Sequence, residues 1–208
     1  GIVQLSQSDE YIYHEMITHP VFFSHPAPKN ILIVGGGDGG ALRECLKHNP
    51  ESVTLVDIDK KVIELSQKYM PFISQGAFND LRVTVVNEDG KDFIKRHKGC
   101  FDIAIIDGED PVGTSVPLYA YAFYKDLHAA LKNNGMAVFQ IGSFLDTALL
   151  HSAFFKLKSI FTYTTRLRLT MPSYHCGEYC FMAASKKINL ERVDFKDIKT
   201  RFNKIKNR

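Results

Sequence analysis

The stretch Ile31–Gly40, ILIVGGGDGG, constrains this chain more than any other. Ile31 to Val34 are apolar and three of the four are β-branched. They read as a strand buried on both faces, as in a parallel sheet covered by helices. The strand runs straight into Gly35, Gly36, Gly37, Asp38, Gly39 and Gly40, and then into the helical pattern ALRECLKH. Strand, glycine turn and helix make the first half of a βαβ unit, and Gly35, Gly37 and Gly40 satisfy the G-x-G-x-x-G spacing. Glycine serves where the chain turns sharply and a ligand must approach the backbone closely. Asp57 lies twenty residues beyond Gly37, at the end of a second strand pattern, SVTLV. A carboxylate there can accept both hydroxyls of a ribose. A tight turn without a ligand needs far fewer glycines, so the motif predicts a bound nucleoside. The loop also carries Asp38, which would repel a pyrophosphate seated on bare backbone N–H groups. Unless that side chain points outward, it suits a cationic ligand. The prediction therefore turns from NAD toward a sulfonium nucleoside such as S-adenosylmethionine or a relative.

Taken in order, residues 2–6 (IVQLS) read as a short strand. Ser8 or Asp9 is placed to cap the helix EYIYHEMITHPVFF, which carries Tyr13, His14 and Glu15 ahead of Pro20. After the Ile31 strand, ALRECLKH reaches Asn49–Pro50, SVTLVDID gives a strand, and KKVIELSQKYM gives a helix closed by Pro71. Strand RVTVV, the turn Asn87-Glu88-Asp89-Gly90 and helix KDFIKRH follow. Strand FDIAIID then leads into the acidic turn GEDPVG, and AYAFYKDLHAALKNN reads as a helix ending near Asn134–Gly135. Strand MAVFQIG and helix TALLHSAFFKLKSIF complete the alternation. FTYTTRLRLTMPS and GEYCFMAASKK form two strands of a hairpin. Five strands alternating with helices, then an antiparallel pair, predict a doubly wound, mostly parallel seven-stranded α/β sheet with an antiparallel C-terminal hairpin.

The 208 residues fit one large domain with room for a small appendage. No run of 18 apolar residues and no secretory leader appear, so a cytoplasmic protein without a membrane span is expected. The first residue is Gly, not Met, which reads as a fragment or processed chain. Cys45, Cys100, Cys176 and Cys180 lack zinc-site spacing and read as free thiols, with no metal expected. The net charge of +3 is uneven: residues 186–208 hold nine Lys/Arg against three Asp/Glu, leaving the remainder at −3. Leu190, Val193, Ile198, Phe202 and Ile205 fall at helical spacing there. The tail reads as an amphipathic terminal helix. It carries no aromatic stacking platform, so no nucleic-acid partner is expected.

Ligands of open α/β sheets bind beyond the carboxyl ends of the strands, at the switch point. Four predicted strand ends carry acids: Asp38, Asp57, Asp89 and the turn from Asp107 to Asp110. A fifth carries Gln140. Each alone reads as a solvated loop residue or a helix cap. Together on one rim they make an anionic crater beside a nucleoside site, which attracts a small polycation.

These residues resemble a known family. D-E-Y-I-Y-H-E-M at 9–16, GGGDGG at 35–40, V-D-I-D at 56–59, G-A-F-N-D at 76–80, E-D-G at 88–90, D-G-E-D-P-V-G at 107–113 and M-P-S-Y at 171–174 are similar to the spermidine synthases, the polyamine aminopropyltransferases. The likeness runs from Val3 to about Lys186. It implies a Rossmann-like catalytic domain over residues 1–208, with the sheet of the S-adenosylmethionine-dependent methyltransferase type. The family's small N-terminal β-domain would then fall upstream of Val3. The resemblance also implies decarboxylated S-adenosylmethionine as co-substrate, putrescine or a similar polyamine as acceptor, and a homodimer or tetramer. Carried over position by position, Gly35 and Gly37 would underlie the nucleoside and Asp57 would hold its ribose. Asp89 with Gly90 would take the adenine amino group, and Asp38 the ammonium of the aminopropyl arm. Tyr13, His14, Asp107, Asp110, Gln140 and Tyr174 would line the amine channel. This chain departs from the family's D-S-S-D-P or D-S-T-D-P turn at Gly108 and Glu109, and Thr114 replaces a proline.

The chemistry also follows from the residue types. A sulfonium leaves without acid assistance, whereas an aliphatic ammonium, with a pKa near ~10, must lose a proton before it can attack. Asp107 is the candidate general base. Asp110 is the candidate counter-charge for the distal ammonium, and Tyr13 and Tyr174 supply apolar walls with polar tips. Two further readings share these residues: an S-adenosylmethionine-dependent amine N-methyltransferase, and a non-catalytic nucleoside- or polyamine-binding relative.

Overall fold

In the computed structural model the Ile31–Val34 run forms the centre of strand β1 (Asn30–Gly35), with all four side chains buried. The structure describes residues 3–111 and 113–206, with Thr114, Lys204 and Lys206 as backbone only. Ile2 of the expected first strand, Val112 of the acidic turn and the Thr114 side chain lie outside the described residues. β1 is flanked on one side by β2 (Ser52–Asp57) and on the other by β4 (Phe101–Asp107), parallel to both. Both of its faces are covered from Ile31 to Val34, which is why all four of those positions are apolar. Leu32 and Val34 face a core that includes Phe93, Tyr124, Leu127 and Phe139. Ile31 and Ile33 face the opposite core, with Ile17, Phe22, Leu42 and Phe181. Each such aliphatic side chain contributes ~1.5–3 kcal/mol on burial.

β3 (Val83–Asn87), β5 (Leu131–Ser143), β6 (Tyr163–Thr170) and β7 (Glu178–Ser185) complete one seven-stranded sheet in the order β3-β2-β1-β4-β5-β7-β6. β7 runs antiparallel to both β5 and β6, so the expected doubly wound sheet with a C-terminal antiparallel hairpin is the observed one. The helices are α1 (Glu10–Ser24), α2 (Gly40–Leu46), α3 (Lys60–Tyr69), α4 (Pro71–Ser74), α5 (Gly90–Arg96), α6 (Tyr121–Ala130), α7 (Thr147–Lys158) and α8 (Phe195–Lys206). α8 is the expected basic tail helix, and its Arg201 donates to the carbonyls of Phe23 and His25 at the end of α1.

Three local expectations need correction. Residues 3–6 are not a strand. The Gln4 carbonyl accepts from the Tyr174 hydroxyl, and Ser6 O accepts from Asp9 N and Glu10 N, so this backbone is committed to a turn. Asp9 does sit at the N-cap of α1, but its side chain makes no cap bond there. It accepts instead from Ser173 N and Oγ at 2.8 and 2.9 Å, tying α1 to the loop between β6 and β7. α6 ends at Ala130, not near Gly135. Gly99 N and Cys100 N take the Ala129 and Ala130 carbonyls, and Leu131, buried in the core, turns extended to pair with Phe101. Pro71 follows the break after α3 and also occupies the first position of α4, where its missing N–H costs nothing.

Candidate active site

The strand order reverses between β1 and β4, so their carboxyl ends frame the crevice where such sheets bind ligands. Gly35 pairs with Asp107 across this point, and Gly36 N donates to the Asp107 carbonyl at 3.0 Å. Gly35 has φ +81°, and a Cβ there would lie 2.2 Å from the Asp107 carbonyl oxygen. The first glycine is therefore required both by its left-handed backbone and by the closeness of the two strand ends. A Cβ at Gly37 would fall 2.6 Å from Asp57 Oδ2, so the second glycine makes room for the carboxylate at the end of β2. Asp57 is buried and also accepts from Asp59 N at 2.8 Å. Burial raises its pKa against those backbone bonds.

Asp38 turns into the crevice. Its Oδ1 accepts from Gly40 N at 2.7 Å and lies 3.5 Å from His14 Nε2. Burial favours its neutral form, but the His14 imidazolium prevails and holds it below the ordinary carboxylate range. His14, 1% exposed, has its other nitrogen 2.5 Å from Glu10 Oε2. Burial opposes its charge, yet the bonds to Asp38 and Glu10 raise it to about 10. Tyr13, the preceding residue of α1, stands edge-on to it, and its hydroxyl donates to Asp107 Oδ1 at 2.6 Å. Burial, then the Asp38 charge, push Asp107 up to about 6, only partly offset by His14 and the Tyr13 bond. Burial and the Asp107 charge raise Tyr13 well above the ordinary phenol range, so it stays a donor.

The other end of the crevice is built by β5 and β7. A register shift between Gln140 and Gly142 breaks the β5–β7 ladder. Gln140 Nε2 donates to Asp110 Oδ1 at 2.9 Å and to the Tyr179 hydroxyl, while its Oε1 accepts from Tyr119 at 2.5 Å. Tyr179 also donates to Asp110 Oδ1 at 3.2 Å. Asp110 itself is exposed at the mouth. The rings of Tyr13, Tyr174 and Tyr179 stand 5.0–6.3 Å apart and Phe181 packs edge-on to Tyr13 at 4.9 Å, making an aromatic wall between Asp107 and Asp110. The acidic-turn departures are accommodated simply. A Cβ at Gly108 would press on Leu118 at 2.9 Å, and Glu109 is exposed, its carbonyl accepting from Tyr119.

Of the residues expected to line a site, Tyr13, His14, Asp38, Asp57, Asp107, Asp110, Gln140 and Tyr174 share this crevice with Gly35 and Gly37. Asp89 sits at the N-cap of α5, beyond the end of β3, accepting from Lys91 N at 2.8 Å, with the Lys91 ammonium 3.3 Å away. The neighbouring Gly90 lets α5 sit on β1, since a Cβ there would lie 2.4 Å from Val34. Glu10, Arg43, Tyr119 and Tyr179 join the site without having been expected. The i,i+4 spacing of Glu10 and His14 was a usable signal, and so was the alternation that puts Tyr179 and Phe181 on one face. Arg43, inside an ordinary amphipathic pattern, gave none. One group of metal-ligand type, Glu15, His19 and Glu44, lies outside the crevice among the described residues. Lys47 Nζ, 2.6 Å from Glu44 Oε2, already supplies the cation there.

Comparison with known proteins agrees with this geometry. The family described as Spermine/spermidine synthase domain matches residues 10–197. A polyamine aminopropyltransferase from Caldicellulosiruptor bescii is 43% identical over 96% of this chain and 72% of its own length. Two solved structures superpose closely at 36% identity and 94% coverage of this chain. One is a spermidine synthase in complex with the transition state analogue AdoDATO, with a TM-score of 0.88 over 66% of that chain. The other is spermidine synthase from Thermotoga maritima, with a TM-score of 0.86 over 65%. The chain thus spans just under two thirds of the solved structures it matches. With a family match over most of its length and identity near 40% to aminopropyltransferases, it belongs to the spermine/spermidine synthase family.

Proposed function

We propose that this crevice transfers the aminopropyl group of decarboxylated S-adenosylmethionine to putrescine, forming spermidine and methylthioadenosine, and that residues 1–208 form the catalytic domain for it. The observation that carries the reading is Asp107. It is a buried carboxylate at the switch point, poised at about 6 and held by Tyr13 beside a second carboxylate, Asp38. A general base works best with a pKa near the operating pH. In this reading Gly35 and Gly37 let the nucleoside lie on the loop, Asp57 accepts the ribose hydroxyls, and Asp89 with Gly90 meets the adenine amino group. Asp38 takes the ammonium of the aminopropyl arm, because its Oδ1 is occupied by Gly40 and His14 while no hydrogen bond reaches its Oδ2 among the described residues.

Putrescine lies along the Tyr13–Tyr174–Tyr179 wall, with Asp110 and Gln140 at its distal ammonium. Asp107 removes a proton from the proximal ammonium. The freed nitrogen attacks the aminopropyl carbon, the new N–C bond forms as the C–S bond breaks, and the sulfonium departs as a neutral thioether. Alignment of nitrogen, carbon and sulfur supplies the rest of the acceleration. The free state of all four cysteines fits a cytoplasmic protein, and the family suggests a homodimer or tetramer. No helix among the described residues is long and apolar enough to cross a membrane. The test is a panel of amines with decarboxylated S-adenosylmethionine, reading methylthioadenosine. Turnover with putrescine above cadaverine, agmatine and spermidine supports the reading. Turnover only with S-adenosylmethionine, giving a methylated amine, overturns it.

A further inference from the structure

His14 has a carboxylate on each ring nitrogen. Nδ1 is 2.5 Å from Glu10 Oε2 and Nε2 is 3.5 Å from Asp38 Oδ1. A neutral imidazole can donate from one nitrogen only, so facing two carboxylates calls for the doubly protonated ring. Glu10 is in turn gripped by Arg43 of α2, with Nη1 3.0 Å from Oε1 and Nη2 3.1 Å from Oε2. Arg43 is fixed by its own bonds to Glu44 Oε1 at 2.7 Å and Ile73 O at 2.5 Å. All of Glu10, His14, Arg43 and Glu44 are buried. The ring is wedged as well, because a Cβ at Gly40 would lie 2.2 Å from His14 Cε1.

We propose that Glu10, clamped by Arg43, is a positioning residue that locks the His14 ring between itself and Asp38 and so makes His14 the fixed counter-cation of the Asp38–Asp107 pair. Two carboxylates in one crevice otherwise tend to share a proton, and a shared proton would disable the base. The groups facing His14 are Glu10 on its own helix, Asp38 from the glycine loop, Asp107 from the end of β4 and the edge-on Tyr13 ring, with Arg43 of α2 behind Glu10 and Glu44 bonded to Arg43. Arg43 is bonded to both glutamates and shares Glu10 with the ring, whose other nitrogen faces Asp38. Consistent with this geometry, His14 is raised to about 10, and it lowers both Asp38 and Asp107.

The role in catalysis rests on the aminopropyl-transfer reading, whereas the state of His14 does not. The experiment therefore has two arms: NMR titration of the His14 ring, and the pH dependence of kcat/KM for methylthioadenosine formation. The proteins are wild type, Glu10→Gln, and Glu10→Gln with Arg43→Met, which removes both buried charges if the single variant fails to fold. Wild-type His14 should stay protonated from pH 6 to 9. In the variants it should titrate inside that window, and the acid limb of kcat/KM should move up by about one pH unit, the usual scale for losing an opposite charge at this range. A wild-type His14 that titrates near 6.5, a variant His14 that stays protonated, or an acid limb that does not move with the His14 titration would each overturn the proposal. Absence of wild-type turnover with every amine would defeat the transfer reading alone, and the NMR arm would still decide whether Glu10 sets the state of His14.

Discussion

Replacing Asp107 by Asn should stabilise the protein while crippling it. Asp107 is raised from 3.8 to about 6, chiefly by burial and then by the Asp38 charge. A carboxylate whose folded pKa lies above its unfolded value favours the native state below the unfolded pKa and loses that benefit as pH rises through the folded one. At pH 8 the native protein therefore carries an ionised group whose strain is the pKa difference, about 2.2 units at 1.36 kcal/mol each, or about 3 kcal/mol. Asn is uncharged, keeps the shape, and can still accept from Tyr13. The Asp107→Asn protein should gain up to about 3 kcal/mol at pH 8, about half of that at pH 5, and about a fifth near pH 4. Urea unfolding at the three pH values, with equal m-values, measures the gain. Over the same change kcat should fall by about 10²–10⁴, the usual worth of a general base, and higher pH should partly restore it by supplying free amine. A variant no more stable than wild type at pH 8, or a gain that does not shrink on acidification, would show that Asp107 is not held as an unfavourable charge and would remove the physical basis for its role as base.

Asp110→Asn should mainly raise the putrescine KM, by about ten-fold, the lower end for a charge-assisted hydrogen bond because Asp110 is exposed. Steady-state kinetics at pH 7 and 9 should show no rescue, since the distal amine must remain charged. Asp57→Ala should weaken methylthioadenosine binding by about 10- to 100-fold in calorimetry, and unchanged affinity would remove its ribose contact. Gly37→Ala should do the same without touching the carboxylate's charge, because its Cβ would fall 2.6 Å from Asp57 Oδ2. In wild type kcat/KM should decline as pH falls through about 6, the value for unliganded Asp107, and a flat profile down to pH 5 would contradict that.

Much of the fold was legible because one physical demand dominates it. A strand buried on both faces, as β1 is at Ile31–Val34, must be apolar throughout, and such runs stand out from helical periodicity without any knowledge of partners. Where local pattern and tertiary pairing disagreed, the pattern misled. Residues 131–135 continue a helical rhythm, yet Leu131 leaves the helix because Phe101 offers it a ladder position and the core a cavity. Residues 3–6 look like a strand, but the Gln4 carbonyl is taken by the Tyr174 hydroxyl and the Ser6 carbonyl by Asp9 N and Glu10 N. Nothing local encodes such a distant partner as Tyr174.

The site was legible in a different way. Strand-end acids converge on one rim because every parallel strand points its carboxyl end the same way, so Asp57 and Asp107 could be grouped from the order of elements alone. Tyr13 and His14 could not, since α1 precedes the sheet and only packing carries its residues to the crevice. What no pattern conveyed is how the crevice tolerates its charge. Asp38 and Asp107 lie close enough for Asp38 to push Asp107 upward, and the compensating cation comes from a helix more than twenty residues earlier, held by a glutamate and an arginine from two different elements. Such compensation has no sequence period. It appears only when burial is known, because only a buried imidazole with a carboxylate on each nitrogen must be charged. A cationic substrate acts in the same sense as His14. In the proposed reaction an ammonium against Asp38 would favour its ionised form as His14 does, so binding would strengthen the charge state that the crevice already holds.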